Sequence, residues 1–138
     1  MDVNRYDRAE VLATIWRLGA GEERLPTSHG ILDRALRDTL SELPQELQGL
    51  SFGVTAVGLR CYELPDILLA AQEALLTTEP NPTYLSSLIT LSEDTAREIA
   101  LSHGISTSDA RAAGLRLLNR VNQIRRNEPA ASEANAAA

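Results

Sequence analysis

ARAAGLRLLNRVNQI, residues 110–124, is the stretch on which the fold turns. Ala110, Gly114, Leu117, Val121 and Ile124 recur at alternating spacings of four and three, the rhythm of a helix with one apolar stripe, and Leu118 widens that stripe. The first half of the stripe is small. Ala110, Ala113 and Gly114 let a second backbone come close, and a glycine inside a helix costs about 1 kcal/mol against alanine, so its presence points to a steric need. Two heptads are too short for a free coiled coil, so the spacing predicts packing inside a bundle. The alternative is a seam between two copies of the chain, formed by Ala110, Gly114, Leu117, Val121 and Ile124.

The same helical periods extend back to the start of the chain. After Asn4 or Asp7 as N-cap, Val11, Leu12, Ile15, Trp16 and Leu18 make a first helix that Gly19 and Gly21 stop. GEERLPT, residues 21–27, is a turn-rich link. A second helix follows with Ser28 as its cap and Gly30 in its first turn, carried by Ile31, Leu32, Ala35, Leu36, Leu40 and Leu43 and ending near Pro44. Residues 48–64 are expected to be a helix broken by Gly53 and Gly58, although Val54, Thr55, Val57 and Tyr62 suit a strand. Pro65 fits a helix first turn, and Ile67, Leu68, Ala71, Leu75 and Leu76 carry that helix on to the break at TTEPNP. Ser92, followed by Glu93 and Asp94, caps the next helix, and Gly104 suits the left-handed position at its end. Ser106 and Asp109 then start the last helix. The expected fold is all-α: a compact bundle of five to six helices spanning residues 1–126 as one domain, with one short strand near 85–91. EPAASEANAAA lacks an apolar stripe, so residues 127–138 are expected to be a disordered tail.

Composition agrees with a single globular domain. A chain of 138 residues, 43% hydrophobic and 23% charged, can bury roughly two-thirds of its unfolded surface without staples. Its one cysteine, Cys61, rules out an intramolecular disulfide, and neither a basic leader nor a membrane-length apolar run is present. A cytoplasmic protein without membrane contact is the expectation. All thirteen cations are arginine, and the net charge is -6. The acidity belongs to residues 1–92, whereas Ser108–Arg126 holds Arg111, Arg116, Arg120, Arg125 and Arg126 against Asp109 alone. Cations at the C-terminal end of a helix complement its macrodipole.

The segment ITLSEDTAREIALSHGISTSDARAAGLRLLNRV, within residues 85–126, resembles the ribbon-helix-helix family of DNA-binding regulators. The resemblance rests on Leu91-Ser92 closing a strand, Ala96, Ile99 and Ala100 inside a first helix, the turn at Gly104-Ile105-Ser106, Ser108-Asp109, and Leu115-Arg116 in a second helix. It implies a dimer whose paired strands enter the major groove with Ser86, Leu88 and Thr90 outward, while amides around Ser106 and Ser108 hold a phosphate. Arg116 and Arg120 would neutralise further phosphates. The strand departs from the family in having no basic or amide side chain to read bases, His103 stands where an apolar residue is expected, and Arg111 where a buried aliphatic is usual. The same turn is similar to a helix-turn-helix.

The tetrapeptide Ser-His-Gly-Ile occurs at residues 28–31 and 102–105 and uses both histidines. The first copy suits a helix start and the second a helix stop. Neither histidine has a metal-ligand residue four positions away or an adjacent cysteine, so no metal site is expected. No phosphate-binding loop, dinucleotide fingerprint, nucleophile elbow or zinc-protease motif is present, and Cys61 in an apolar stretch suits a buried small hydrophobe. The expected function is a helical protein-interaction or regulatory module, neither enzyme nor cofactor protein, whose partner is another protein or a second copy. The alternative is a DNA-binding regulator using residues 85–126.

Overall fold

Asn4 opens the first helix as expected, its side chain accepting the amide of Asp7 at 2.9 Å. The structure is a computed structural model that describes residues 4–27, 30–78 and 86–127. Helix α1 (Arg5–Ala20) ends at Gly21, whose φ of 64° lets its N–H reach the carbonyl of Arg17. Ala9, Val11, Leu12, Ala13, Ile15, Trp16 and Leu18 are all buried, so apolar side chains cover most of this helix rather than one stripe. Such a helix needs neighbours on several sides. Helices α3 (Gln45–Gln48), α4 (Leu64–Glu73), α5 (Glu93–Ser102) and α6 (Thr107–Asn127) supply them. Trp16 is fully enclosed and keeps its one polar atom satisfied, Nε1 donating to the carbonyl of Glu23 at 2.7 Å.

The most extensive helix contact joins α1 to α6. A Cβ added to Gly114 would overlap the carbonyl oxygen of Ile15, and one added to Gly19 would overlap the backbone of Gly114 and Leu115. Gly19 is therefore not a helix stop. It lies inside α1 as the other half of a backbone-to-backbone contact, and Gly21 alone ends the helix. Ala110, Gly114, Leu117, Val121 and Ile124 are buried, and α1 with α2 (Ile31–Thr39) packs against α6. The seam read from the sequence is filled within the chain, which leaves those five residues no surface for a second copy.

Helix α2 has Gly30 as its N-cap at φ 68°, with the Arg60 side chain where a Cβ would stand, so Gly30 lies outside the helix rather than in its first turn. The expected cap Ser28, and His29, lie outside the described residues. A single 3₁₀ turn (Leu40–Glu42) follows α2.

The described residues are mostly helical, as expected, but the segment between α3 and α4 is a pair of strands rather than the expected broken helix. Phe52–Thr55 (β2) and Gly58–Cys61 (β3) form an antiparallel hairpin in the register Phe52↔Cys61, Gly53↔Arg60, Val54↔Leu59 and Thr55↔Gly58. The glycines that suggested a broken helix serve the hairpin instead. Gly58 takes a φ of 103° at the turn, and Gly53 leaves room for the ring of Tyr62. β-branched Val54 and Thr55 complete the preference for a strand.

A second small sheet pairs Leu25–Pro26 (β1) with Ser86–Ser87 (β4), antiparallel, so the strand expected near 85–91 exists and is paired inside the chain. Its continuation bonds to residues 76–78: Thr78 N donates to Leu88 O and Thr90 N to Leu76 O, both at 2.9 Å. Leu85 and the segment 79–84 lie outside the described residues, as does the expected tail 128–138. Helix α4 carries Pro65 in its first turn, as its sequence predicts.

Ser92 caps α5 by accepting Thr95 N at 3.1 Å. Gly104 takes the left-handed conformation at φ 73°, Ile105 N reaches back to the Ala100 carbonyl at 2.9 Å, and Ser106 Oγ accepts the Asp109 amide at 3.0 Å to start α6. No helix among the described residues is long and apolar enough to cross a membrane. Gly114→Ala improves helix propensity and is nevertheless expected to lower stability by about 1–3 kcal/mol, because the methyl has no space. Leu117→Ala is expected to cost about 2–5 kcal/mol. Urea unfolding checks both, and a Gly114→Ala midpoint at or above that of the parent would contradict the close approach.

Candidate functional site

The turn after α5 fixes His103 as the helix C-cap and sends its ring between two other helices. Nε2 lies 2.8 Å from Glu10 Oε1 on α1, and Nδ1 lies 3.1 Å from Glu46 Oε2 on α3. Asp7 stands three residues before Glu10 on the same face of α1. One ligand atom each from Asp7, Glu10 and His103 falls within 4.8 Å of the others. The imidazole is well enclosed, its side chain 13% exposed, and Glu46 is nearly as buried. Arg8 ties α1 to α3 by donating Nε to the Glu46 carbonyl at 3.3 Å. Beside the ring opens a cavity of about 330 Å³ whose walls include Glu42, Pro44, Glu46, His103, Ile105 and Asp109. Carboxylates dominate it, and such a cavity favours cations.

A second cavity, about 430 Å³, lies where the hairpin meets α2 and α4, with Gly30, Asp33, Arg60, Cys61, Tyr62 and Leu68 among its walls. Asp33 is buried and accepts the Cys61 amide at 2.7 Å, which ties β3 to α2. Burial pushes the Cys61 thiol up to about 11, so it is not a nucleophile near neutral pH. Glu63 closes the base of the hairpin. Its burial alone would raise the carboxyl, but the hydroxyl and amide of Ser51, at 2.5 and 2.8 Å, outweigh that and hold it below the usual carboxylate range.

The residues expected to contact DNA are dispersed. Ser86 is buried, not outward, and accepts Arg24 Nε at 2.8 Å, whereas Leu88 and Thr90 are exposed. Leu88 N donates to Thr78 Oγ1 at 3.0 Å, and Thr90 Oγ1 donates to the Leu75 carbonyl at 2.7 Å, so this strand is stitched to the chain along its length. Ser106 caps α6, and Ser108 is exposed in its first turn. Arg120 forms a 2.7 Å ion pair with Asp38, and Arg116 lies 3.8 Å from Glu42. Asp38 would be raised by burial, yet its bonds to Arg120 and Arg37 hold its carboxyl low. Arg111 donates to the Leu18 carbonyl and to Glu93. Arg111, Arg116 and Arg120 thus each have an acidic neighbour within the chain.

Asp7, Glu10 and Glu46 were not nominated by the sequence, since they lie 96, 93 and 57 residues from His103. Their only signal is the pair Asp7 and Glu10 three apart on one helix. The chain matches no protein-family model, no curated protein and no solved structure.

With roughly one Cys61 thiol in a thousand ionised at pH 8, an aromatic disulfide reagent should label the folded protein slowly and the urea-unfolded protein at once. The unfolded thiol ionises first, near 8.5, so stability should fall as pH rises from there to about 11. Rapid labelling of the native state would contradict this burial.

Proposed function

We propose that the chain is a protein-interaction module that receives an extended segment of a partner polypeptide, a second copy included, on the outer edge of β2. The observation that carries this reading is the unpaired edge itself. Tyr62 N donates to Ser51 O at 3.0 Å, and in the hairpin's register this makes Gly53–Arg60 and Thr55–Gly58 the bonded pairs. The N–H and C=O groups of Phe52 and Val54 then point away from β3, and among the described residues they have no partner. Val54 and Val57 beside them are 84% and 71% exposed, and Tyr62 is exposed as well. A row of free main-chain donors and acceptors at alternate residues complements an extended strand, and apolar side chains along it add contact area. Neither lysine nor proline blunts this edge.

The DNA-binding alternative receives less support from the geometry, because Arg116 and Arg120 face Glu42 and Asp38 rather than an open basic surface. Duplex DNA, followed by anisotropy at physiological salt, is expected to bind no more tightly than roughly 100 μM. A tighter complex that weakens when Arg116 and Arg120 are replaced by alanine would reverse the ranking. For the edge, light scattering across a concentration series should show reversible self-association that Val54→Lys abolishes while the circular dichroism spectrum stays unchanged. A parent chain that remains monomeric, with the Phe52 and Val54 amides already protected from hydrogen exchange, would remove the reading.

A further inference from the structure

The structure assigns to Asp7, Glu10 and His103 a binding site for a first-row divalent transition ion, with Glu46 as the group that orients the imidazole. The argument begins with hydrogen-bond capacity. A neutral imidazole has one N–H and one lone pair, and a carboxylate only accepts. His103 nevertheless has carboxylate oxygen at both nitrogens, 2.8 Å from Nε2 and 3.1 Å from Nδ1. If Nδ1–H donates to Glu46, the Nε2 lone pair faces Glu10 oxygen, and a positive charge is needed there, either a proton on Nε2 or a metal ion set to one side of the Nε2–Oε1 line.

A metal ion meets that need in a way the surroundings match. Histidine ligands commonly donate the second ring N–H to a carboxylate, which fixes the tautomer and raises the basicity of the ligating nitrogen. Glu46 stands in that place, on a different helix from Asp7 and Glu10. Asp7 and Glu10, one helical turn apart on α1, then complete a face of one nitrogen and two oxygens, with atoms close enough to converge through rotation about the carboxylate side chains. Imidazole with two carboxylates suits Zn²⁺ and its neighbours in the series better than Mg²⁺ or Ca²⁺, which take oxygen alone. Positions on the ion away from the protein stay open to water. Three carboxylates around one ring also leave the cluster with excess negative charge, which a divalent ion neutralises.

The test is titration of the full chain with Zn²⁺ by calorimetry, with Mg²⁺ as control, and with Co²⁺ followed by its visible absorption. One Zn²⁺ per chain should bind in the micromolar range and Mg²⁺ far more weakly. His103→Asn and Asp7→Asn should each lose at least tenfold in affinity, and Glu46→Gln roughly 10–100-fold, since it acts through the ring. Nitrogen-detected NMR of the imidazoles needs no variant: Zn²⁺ should shift Nε2 of His103 and leave His29 in place. An imidazolium paired with two carboxylates and nothing more would give no stoichiometric Zn²⁺ binding, or binding that His103→Asn leaves intact. Either result overturns the assignment, as does a spectrum in which both histidines move together or neither moves.

Discussion

The contact of α1 with α6 at Gly19, Ile15 and Gly114 is the constraint from which the rest of the arrangement follows. Two backbones meet there with no side chain between them, so the distance and crossing of the helices are fixed within narrow limits. Leu117 and Val121 then fall into the core, and Arg111 reaches the carbonyl of Leu18. Because the turn at Gly104 joins α5 tightly to α6, the end of α5 is fixed too, and His103 is delivered to Glu10. The cluster around His103 and the core thus share one origin, a pair of absent β-carbons.

Much of the helical framework was legible in the sequence, and for local reasons. Asn4, Ser92 and Ser106 cap with their own side chains, Gly21 and Gly104 take the conformation that only glycine takes easily, and Pro65 fits a first turn. Each of these signals lies within four residues of the structure it specifies. The hairpin was misread because Gly53 and Gly58 mean opposite things in a helix and in a strand, and what decides between them is Tyr62 folding back over Gly53 and Asp33 bonding to Cys61. Neither contact is visible without the fold. Gly19 was misread for the same reason: its role lies in a helix roughly 95 residues away.

The candidate sites were less legible still. Histidine 103 stood out only because histidines are few, and the carboxylates around it come from two helices distant in sequence. The charge pattern misled in an instructive way. The acidic first part and the basic last helix appear as separate territories along the chain, but folding brings Asp38 to Arg120 and Glu42 to Arg116. Charges segregated in sequence are thus partly recombined in space.

The pairing of α1 with α6 also sets the order in which the chain can mature. About a hundred residues separate Ile15 from Gly114, and closing so long a loop carries an entropy cost that no local helix recovers by itself. During synthesis the face of α1 that receives Gly114 stays open until α6 has left the ribosome. Packing of α1 therefore completes only after α6 has been made. Its speed is governed by that long-range closure rather than by the abundance of helix. In the interval Ile15 is a group that a chaperone or a neighbouring nascent chain would meet.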